Sequence, residues 1–244
     1  MGGGGLTGVF LQVRLGSSRL PNKALLELGG RSVIEHAMLS LRRVPASVHA
    51  IVTDAPSRTL LEPRARRCGF DIFVGPDDNV LERYVLAARH FDVSTIVRAT
   101  GDNPLVSWEL ARQALAELRK RDADYCGFDG PPLGTGVEVV STAALERAVR
   151  ETSASYDREH VTPYLYRNPG LFAAFRLPAP PAYCLPHARV TLDTSDDYRR
   201  LCAIFEELHA GTPIPILRLV RALSLPKSGL ATGAPEVNVY SPGA

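Results

Sequence analysis

We predict from the sequence an α/β fold in which a mostly parallel, twisted sheet is flanked by helices. Apolar, strand-like segments alternate with amphipathic, helix-like segments from residue 9 to residue 120. This alternation is typical of parallel sheets that are covered on both faces. The length of 244 residues suits a single α/β unit with a small appendage. A hydrophobic fraction of 45% supplies enough apolar side chains for a substantial core.

The first half of the chain carries this alternation most clearly. Apolar runs predict strands at 9–14, 49–53, 70–74 and 95–99, and helical periodicity predicts helices at 32–43, 57–68, 79–91 and 107–120. Ser32 and Glu35 form a capping-box pattern at the start of the first helix. The apolar residues that follow have the spacing of one buried helical stripe: Ile34, Ala37, Met38 and Leu41.

The second half is less regular. Glycine and proline crowd residues 127–136 and predict a hinge there. Around it we predict strands at 125–128, 137–141 and 189–192 and helices at 142–151 and 158–167. Thr194 and Asp197 form a second capping-box pattern at the start of another helix. We therefore predict a flexible amino terminus at 1–8, one domain at 9–210 with a hinge and a small inserted region at 127–187, and a short helix with a tail at 211–244.

Charge, cysteine usage and hydropathy narrow the class of protein. The chain has 28 basic and 26 acidic residues and a formal charge of +2, so nucleic acid is not an expected partner. The four cysteines lack a C-x-x-C pair, which favours a reducing cytoplasm. The sequence has neither a signal-peptide pattern nor an apolar run of membrane-spanning length, so we expect a cytoplasmic protein without membrane insertion.

The segment after the first predicted strand has the composition of a phosphate-binding loop. Gly16 and Ser17 lie in a polar turn, and Arg14, Arg19 and Lys23 surround it in a stretch with no acidic residue before position 27. Backbone N–H groups and hydroxyls in such a turn bind phosphate oxygens, and the cations neutralise the remaining charge. The segment matches neither the P-loop nor the dinucleotide-binding pattern, so it predicts a different kind of triphosphate site.

This segment, residues 11–23, resembles the signature of cytidylyltransferases of the spore-coat-polysaccharide SpsF type. These proteins are relatives of the enzymes that activate ulosonic and sialic acids. Four further blocks resemble the family in its order, at 75–84, 98–105, 158–164 and 191–194. The resemblance implies a Rossmann-like fold of the nucleotide-diphospho-sugar transferase type. It also implies transfer of CMP from CTP to a sugar or acidic sugar-like acceptor, with Mg²⁺ and release of pyrophosphate, in surface polysaccharide or glycan biosynthesis.

The resemblance also implies roles for individual residues. The catalytic residues would be Arg14, Lys23 and Asp102. The CTP-binding residues would be Leu11, Gln12, Arg14, Gly16, Ser17, Arg19, Lys23 and Arg98, although Arg98 is equally suited to pairing with a carboxylate. Asp102 and Asp193 would hold Mg²⁺, which favours hard oxygen ligands. The acceptor would be bound by Glu138, Arg158, Glu159 and His160 in the inserted region, which would serve acceptor binding or dimerisation.

Other interpretations stay open at the level of sequence. Gly136 occupies a place where an aspartate is common in the family, so the acceptor is not identified. A metal-dependent glycosyltransferase would need a D-x-D motif, and residues 122–124 fit that pattern but precede a predicted strand instead of following one. A nucleotide-binding module without catalysis is a further alternative. By analogy with the family, we expect a homodimer.

Overall fold

The computed structural model describes residues 5–225, and its elements follow the predicted alternation closely in the first half. In chain order these elements are β1 (Leu6–Gln12), β2 (Glu27–Leu28), β3 (Arg31–Ser32), α1 (Val33–Leu41), β4 (Val48–Thr53), α2 (Arg58–Arg67), β5 (Asp71–Val74), α3 (Val80–His90), β6 (Val93–Thr100) and α4 (Trp108–Arg121). A short 3₁₀ helix, Lys23–Leu25, lies between β1 and β2.

The second half contains the remaining strands and several short helices. They are β7 (Tyr125–Asp129), β8 (Glu138–Ser141), α5 (Thr142–Glu151), α6 (Ser155–His160), α7 (Pro163–Arg167), β9 (Ala174–Pro178), α8 (Ser195–Leu208) and α9 (Ile216–Leu223). Both predicted capping boxes are present, at the start of α1 and of α8. Helix α9 is the short helix predicted beyond residue 211, and residues 226–244 of the predicted tail lie outside the described residues.

Seven strands form the main sheet in the order β5-β4-β1-β6-β8-β7-β9. β8 runs antiparallel to both of its neighbours, and every other neighbouring pair is parallel. The prediction of a mostly parallel sheet flanked by helices is confirmed. Arg98, near the end of β6, pairs with Glu138 at the start of β8. The start of β8 therefore lies at the same edge of the sheet as the ends of the parallel strands, where ligands gather in open α/β folds.

Side-chain alternation along β1 separates two cores on the two faces of the sheet. Val9 and Leu11 pack into a core with α1, α2 and α4, whereas Phe10 packs into a core with α3 and α5. All three side chains are fully buried, as expected for a central parallel strand. A third core joins α8 and α9 to β2, through residues such as Leu28, Leu201 and Leu219. This third core supports the loop that precedes α8.

Three predictions about individual elements are wrong: the start of β1, the strand at 189–192 and the continuous helix at 158–167. β1 begins at Leu6, so residues 6–8 belong to the sheet and not to a flexible terminus; residues 1–4 lie outside the described residues. Residues 189–192 do not form a strand, because they make only one isolated bridge, between Leu133 and Arg189. Two prolines precede Leu133 in the facing loop, and proline has no N–H for a ladder.

The predicted helix 158–167 is divided into α6 and α7. Val161 has φ 74° and ψ −58°, and Pro163 follows at the start of α7. A positive φ ends a right-handed helix, and Pro163 is favoured as the first residue of a new one. The sequence analysis also did not anticipate β9 or the β2–β3 hairpin, in which Gly29 and Gly30 have φ of 53° and 83°.

Candidate active site

The loop that follows β1 is held on its inner side and open on its outer side. Thr53 Oγ1 donates a hydrogen bond of 2.7 Å to the Val13 carbonyl, and Leu15 N donates one of 2.9 Å to Ser57 Oγ. The side chains of Arg14 and Arg19 are 54% and 74% exposed. The loop is therefore fixed to the sheet and presents its cations to a ligand at the carboxyl edge.

Not all of the predicted CTP-binding residues reach this loop. Gly16 and Ser17 lie in it, and a Cβ atom placed on Gly16 would meet no atom within 4 Å. The Leu11 side chain is fully buried in the core, so its predicted contact with CTP would have to be made by its backbone. Gln12 ends β1, and its Oε1 accepts a hydrogen bond of 3.1 Å from Arg98 Nη2.

Lys23 brings together two residues that are distant in sequence. Its Nζ lies 2.6 Å from Asp102 Oδ2 and 2.9 Å from Asp193 Oδ1, and it donates a hydrogen bond of 2.8 Å to the Leu192 carbonyl. The Lys23 side chain is only 12% exposed. It starts the 3₁₀ helix directly after Asn22, whose φ of 54° turns the chain towards the sheet edge. The predicted catalytic lysine and the two predicted metal ligands thus form one cluster.

The charges of this cluster support one another. Burial opposes the charge on Lys23, but the carboxylates of Asp102 and Asp193 outweigh it and raise the pKa of the ammonium group. Burial likewise opposes the charge on Asp193, and Lys23, Arg189 and Arg19 outweigh it and lower the pKa of that carboxyl. Lys23 and Asp193 are therefore both ionised at neutral pH, and the ion pair excludes a neutral form of either.

The two aspartates suit Mg²⁺ in chemistry and direction. An oxygen of each lies within hydrogen-bond distance of the same atom, Lys23 Nζ, so both carboxylates are aimed at one point. Residues 5–225 contain no group of three or more histidine, cysteine or acidic side chains arranged to hold a metal. Mg²⁺ commonly takes one or two carboxylates and completes its shell with phosphate and water, so two ligands are sufficient. Binding would require Lys23 to move from its position between them.

Glu138 is the centre of a second polar cluster at the same edge. Its Oε2 accepts a hydrogen bond of 2.5 Å from Arg98 Nη1, and its Oε1 accepts bonds from Tyr125 Oη at 2.8 Å and Thr162 Oγ1 at 2.9 Å. The structure therefore pairs Arg98 with a carboxylate. Burial and the neighbouring Glu138 charge raise the pKa of Tyr125, so its hydroxyl stays protonated and donates.

A cavity of about 500 Å³, which we call the strand-end cavity, lies between this cluster and the loop at residues 130–137. Thr100 and Asn103, which flank the Asp102 turn, also line it. Gly134 has φ 101°, and a Cβ atom there would lie 2.9 Å from Thr191 N. Glycine is thus required for the close approach of this loop to the segment before Asp193. The predicted hinge residues form a wall of the cavity, and hinge motion stays a prediction.

The predicted acceptor-binding residues separate into two groups. Glu138 lines the strand-end cavity, whereas Arg158, Glu159 and His160 do not. These three lie on α6, where Glu159 Oε1 is 3.8 Å from Arg14 Nη2 and the His160 ring packs 4.3 Å from that of Tyr156. Sequence reasoning missed four polar residues of the site: Tyr125, Asp129, Thr162 and Arg176. Arg176 belongs to β9, which periodicity did not reveal.

Comparison with known proteins defines the family. The family model described as cytidylyltransferase matches residues 9–214, which is most of the chain. The chain belongs to the cytidylyltransferase family. Members of this family transfer CMP from CTP, and the loop after β1, Lys23 and the two aspartates all lie within the matched residues.

Individual cytidylyltransferase relatives match along most of their own length. An uncharacterized protein of Methanocaldococcus jannaschii is 36% identical, over 78% of this chain and 79% of the relative. The spore coat polysaccharide biosynthesis protein SpsF of Bacillus subtilis is 29% identical, over 88% of this chain and 92% of the relative. The match to the family model, at residues 9–214, covers both the loop after β1 and the cavity side of the site.

Solved structures show the same fold. A cytidylyltransferase from Leptospira borgpetersenii has a TM-score of 0.82 at 23% identity and covers 89% of this chain and 93% of its own. CMP:2-keto-3-deoxy-manno-octonic acid synthetase, solved in complex with CTP, has a TM-score of 0.64 at 16% identity and covers 83% of this chain and 99% of its own. The chain therefore has a fold that these cytidylyltransferase structures share.

Proposed function

We propose that this cytidylyltransferase transfers CMP from CTP to a sugar or acidic sugar-like acceptor, with Mg²⁺ as cofactor and pyrophosphate as product. The convergence of Lys23, Asp102 and Asp193 beside the strand-end cavity carries the proposal. This convergence supports a site in which Lys23 neutralises phosphate and the two aspartates hold the metal, next to a space for a second substrate. The name of the Bacillus subtilis relative supports a role in polysaccharide biosynthesis.

The reaction is a substitution at the α-phosphorus of CTP. An acceptor oxygen forms a bond to that phosphorus while the bond to the oxygen that bridges to the β-phosphorus breaks, and pyrophosphate leaves with the bonding electrons. An acceptor hydroxyl loses its proton to water in this step. The contribution of the protein is positioning and neutralisation of charge, because the reacting groups are supplied by the substrates.

The loop after β1 and the cluster of Lys23, Asp102 and Asp193 have different roles in binding the triphosphate. Arg14 and Arg19 are more than half exposed, each in an ion pair of 3.8 Å, and would turn from Glu159 and Asp193 towards the β- and γ-phosphates. Lys23 exchanges a carboxylate contact for a phosphate oxygen when the triphosphate enters. Asp102 and Asp193 would hold Mg²⁺, which supplies Lewis-acid polarisation of the α-phosphate when bound. Gly16 and Ser17 offer backbone and hydroxyl donors to the remaining oxygens.

A cytoplasmic location is part of the same proposal. The four cysteines are free of disulfides, which is consistent with a reducing cytoplasm. Among residues 5–225, no helix combines the length and the apolar character needed to cross a bilayer. We also propose a homodimer on the analogy with the family; light scattering coupled to gel filtration would test it directly.

The glycosyltransferase alternative finds no support at its D-x-D motif. Asp122 caps α4 with φ 49°, and Asp124 precedes β7 at the opposite edge of the sheet from Lys23. The Asp124 carboxylate accepts hydrogen bonds from Ser141 Oγ at 3.2 Å and Ala173 N at 3.0 Å. These contacts give it a structural role that is far from the carboxyl edge.

Pyrophosphate release tests the proposed function. We would supply CTP, UTP, ATP or GTP separately, each with Mg²⁺ and a mixture of neutral sugars, sugar acids and sugar phosphates. Release should be specific to CTP and should stop when Mg²⁺ is chelated. Equal release from UTP, or transfer of a sugar from a nucleotide-sugar donor without pyrophosphate release, would contradict the proposal.

A further inference from the structure

The strand-end cavity is lined by charged residues whose charges cancel. Among the described residues that line it, two are arginines and two are carboxylates: Arg98, Arg176, Asp129 and Glu138. Arg98 is bonded to Glu138, and Arg176 is bonded to Asp129. Each guanidinium is therefore paired with a carboxylate, so neither adds net positive charge towards a ligand. Such a lining is unusual for a pocket that would hold a carboxylate, which is normally met by an unpaired arginine.

The arrangement of donors and acceptors suits hydroxyl groups. Arg176 Nε donates a hydrogen bond of 3.0 Å to Asp129 Oδ1, and Arg176 Nη1 donates one of 3.3 Å to Tyr125 Oη. An acidic group that approached either guanidinium would therefore meet a carboxylate beside it, and like charges repel. A hydroxyl both donates and accepts, so it can bind an arginine and its carboxylate partner together.

Two further features of the cavity favour a hydroxylated ligand. Arg98 Nε and Thr191 Oγ1 are buried atoms without a hydrogen-bond partner, and both residues line the cavity. Buried polar atoms are costly unless a ligand or water satisfies them. Pro131, Pro132 and Pro186 provide an apolar wall for the carbon face of a sugar ring. At Gly136 a Cβ atom would meet nothing within 4 Å, so the missing side chain leaves room for the ligand.

We infer that the part of the acceptor held in the strand-end cavity is uncharged and polyhydroxylated, and that Asp129 and Glu138 exclude sugar acids by occupying the two arginines. This inference narrows the class of acceptor in the proposed function. It rests on the proposed function, because that function assigns the cavity to the acceptor. A cavity of about 500 Å³ falls within the usual range of small-molecule sites, roughly 300–1,000 Å³. Asp129 is the better residue for a test because its side chain is 57% exposed and its loss leaves no buried atom unpaired.

Three matched pairs of probes test the inference: glucose with glucuronate, galactose with galacturonate, and mannose with mannuronate. Dissociation constants would be measured by saturation-transfer NMR on the full chain without nucleotide. The wild type should bind the neutral member of a pair more tightly. Asp129→Asn frees Arg176 and should shift the ratio of dissociation constants towards the acid by about tenfold. Asp196→Asn, which removes a carboxylate paired with Arg199 on α8, is the matched control and should not shift it.

The remaining outcomes are equally decisive. Gly136→Leu should abolish binding of all the probes by filling the cavity. A wild type that prefers the acids, or that binds neither member of any pair, would overturn the inference, as would equal shifts in Asp129→Asn and Asp196→Asn. Because no nucleotide is present, failure of CTP to bind or react would count against the proposed function alone. An acid preference in a chain that still uses CTP would count against the inference alone.

Discussion

At the scale of single residues, the ammonium group of Lys23 lies where a metal ion would be expected to lie. It contacts Asp102 and Asp193, and the three side chains are only partly accessible to solvent. Two carboxylates aimed at one point repel each other unless a cation separates them. Lys23 therefore keeps the pair together without metal, and its displacement would accompany loading of the site with Mg²⁺ and triphosphate.

We predict that Lys23→Ala lowers turnover by about 10²-fold or more, which corresponds to roughly 3 kcal/mol of lost transition-state stabilisation. The reason is the loss of a positioned cation at the phosphates. Steady-state pyrophosphate release would measure the effect, with circular dichroism to verify folding. Lys120→Ala is the matched control, because Lys120 is 73% exposed on α4 and, within residues 5–225, forms an ion pair only with Glu117. A folded Lys23→Ala variant with wild-type kcat would remove the loop from the mechanism.

The two aspartates should act as one unit. Asp102→Asn and Asp193→Asn should each lose most activity and require more Mg²⁺, because either change leaves an incomplete ligand set. The double variant should be scarcely slower than the slower single variant, as is usual for residues that serve one ion. The rate would be measured against Mg²⁺ concentration for all three. Multiplicative losses with an unchanged Mg²⁺ dependence would contradict a shared site.

At the scale of elements, the connection between α6 and α7 is a strained turn that contains Val161 and precedes Thr162, a donor to Glu138. Val161 has φ 74° and ψ −58°, and Thr162 N donates a hydrogen bond of 2.9 Å to the His160 carbonyl. This is a γ-turn of the rare, positive-φ form, which is costly for a β-branched residue. The turn lets Thr162 Oγ1 donate a hydrogen bond of 2.9 Å to Glu138 Oε1, and Arg158 and His160, which precede it, do not line the cavity.

We predict that Thr162→Val raises the KM for the acceptor several-fold and leaves the KM for CTP unchanged, because Glu138 loses one of its donors. The free energy of unfolding should fall by about 1 kcal/mol. Thr142→Val is the control: it removes a similar hydrogen bond, of 2.7 Å to the Val93 carbonyl, at the other edge of the sheet. Its stability should fall by a similar amount. Equal changes of acceptor KM in both variants would assign Thr162 a purely structural role.

The packing of α1 against α8 predicts a pH dependence of stability. His36 is 4% exposed, its Nε2 donates a hydrogen bond of 2.6 Å to the Leu28 carbonyl, and its ring lies 4.4 Å from that of Phe205. Burial, with smaller contributions from the nearby His209 and Arg31, lowers the pKa of His36 from 6.5 to about 4, against the Leu28 bond. Between these two values only the unfolded chain binds the proton, so acid favours unfolding.

The free energy of unfolding should therefore fall as the pH is lowered from about 6.5 to about 4, with a contribution from His36 of up to about 3 kcal/mol. Urea denaturation at several pH values would measure it. His36→Gln should flatten the curve in this window, and His187→Gln, at an exposed position, should not. Parallel curves for the wild type and His36→Gln would show that His36 is not the titrating group.

At the scale of the whole molecule, one edge of the sheet carries all of the proposed chemistry. The loop after β1, the Asp102 turn after β6 and the start of β8 meet there because neighbouring strands place these ends side by side. The antiparallel β8 is essential to this arrangement, since it brings its first residue, Glu138, to the edge where parallel strands end. A ligand that binds this edge contacts several distant segments and should stabilise the entire fold.

Thermal unfolding should report this linkage. CTP at 100 times its Kd should raise stability by about 2.7 kcal/mol, or roughly 5–10 °C in Tm for a chain of this size. ATP and GTP should have smaller effects, and chelation of Mg²⁺ should reduce the effect of CTP. Stabilisation by a nicotinamide dinucleotide without stabilisation by CTP would reopen the question of which nucleotide binds. Lys23→Ala should reduce the CTP-dependent shift, which links this measurement to the turnover assay.

The sequence by itself determined the features that depend on local patterns. Periodicity predicted the helices and parallel strands of the first half, and capping boxes located the starts of α1 and α8. The cations of the loop after β1 were visible because no acidic residue interrupts them. The family resemblance, which rests on ordered blocks of sequence, singled out Asp102 and Asp193, and their role as metal ligands stays a prediction. These signals are local, so they are readable without the fold.

Only the tertiary structure decided which distant groups meet. It joined Lys23 to both aspartates, paired Arg98 with Glu138 and added Asp129, Thr162 and Arg176 to the site. It also replaced the predicted strand at 189–192 with a loop and moved Arg158 and His160 out of the cavity. The physical reason is that pairing, burial and strain at Val161 arise from contacts between segments far apart in the chain, and no local pattern encodes such contacts.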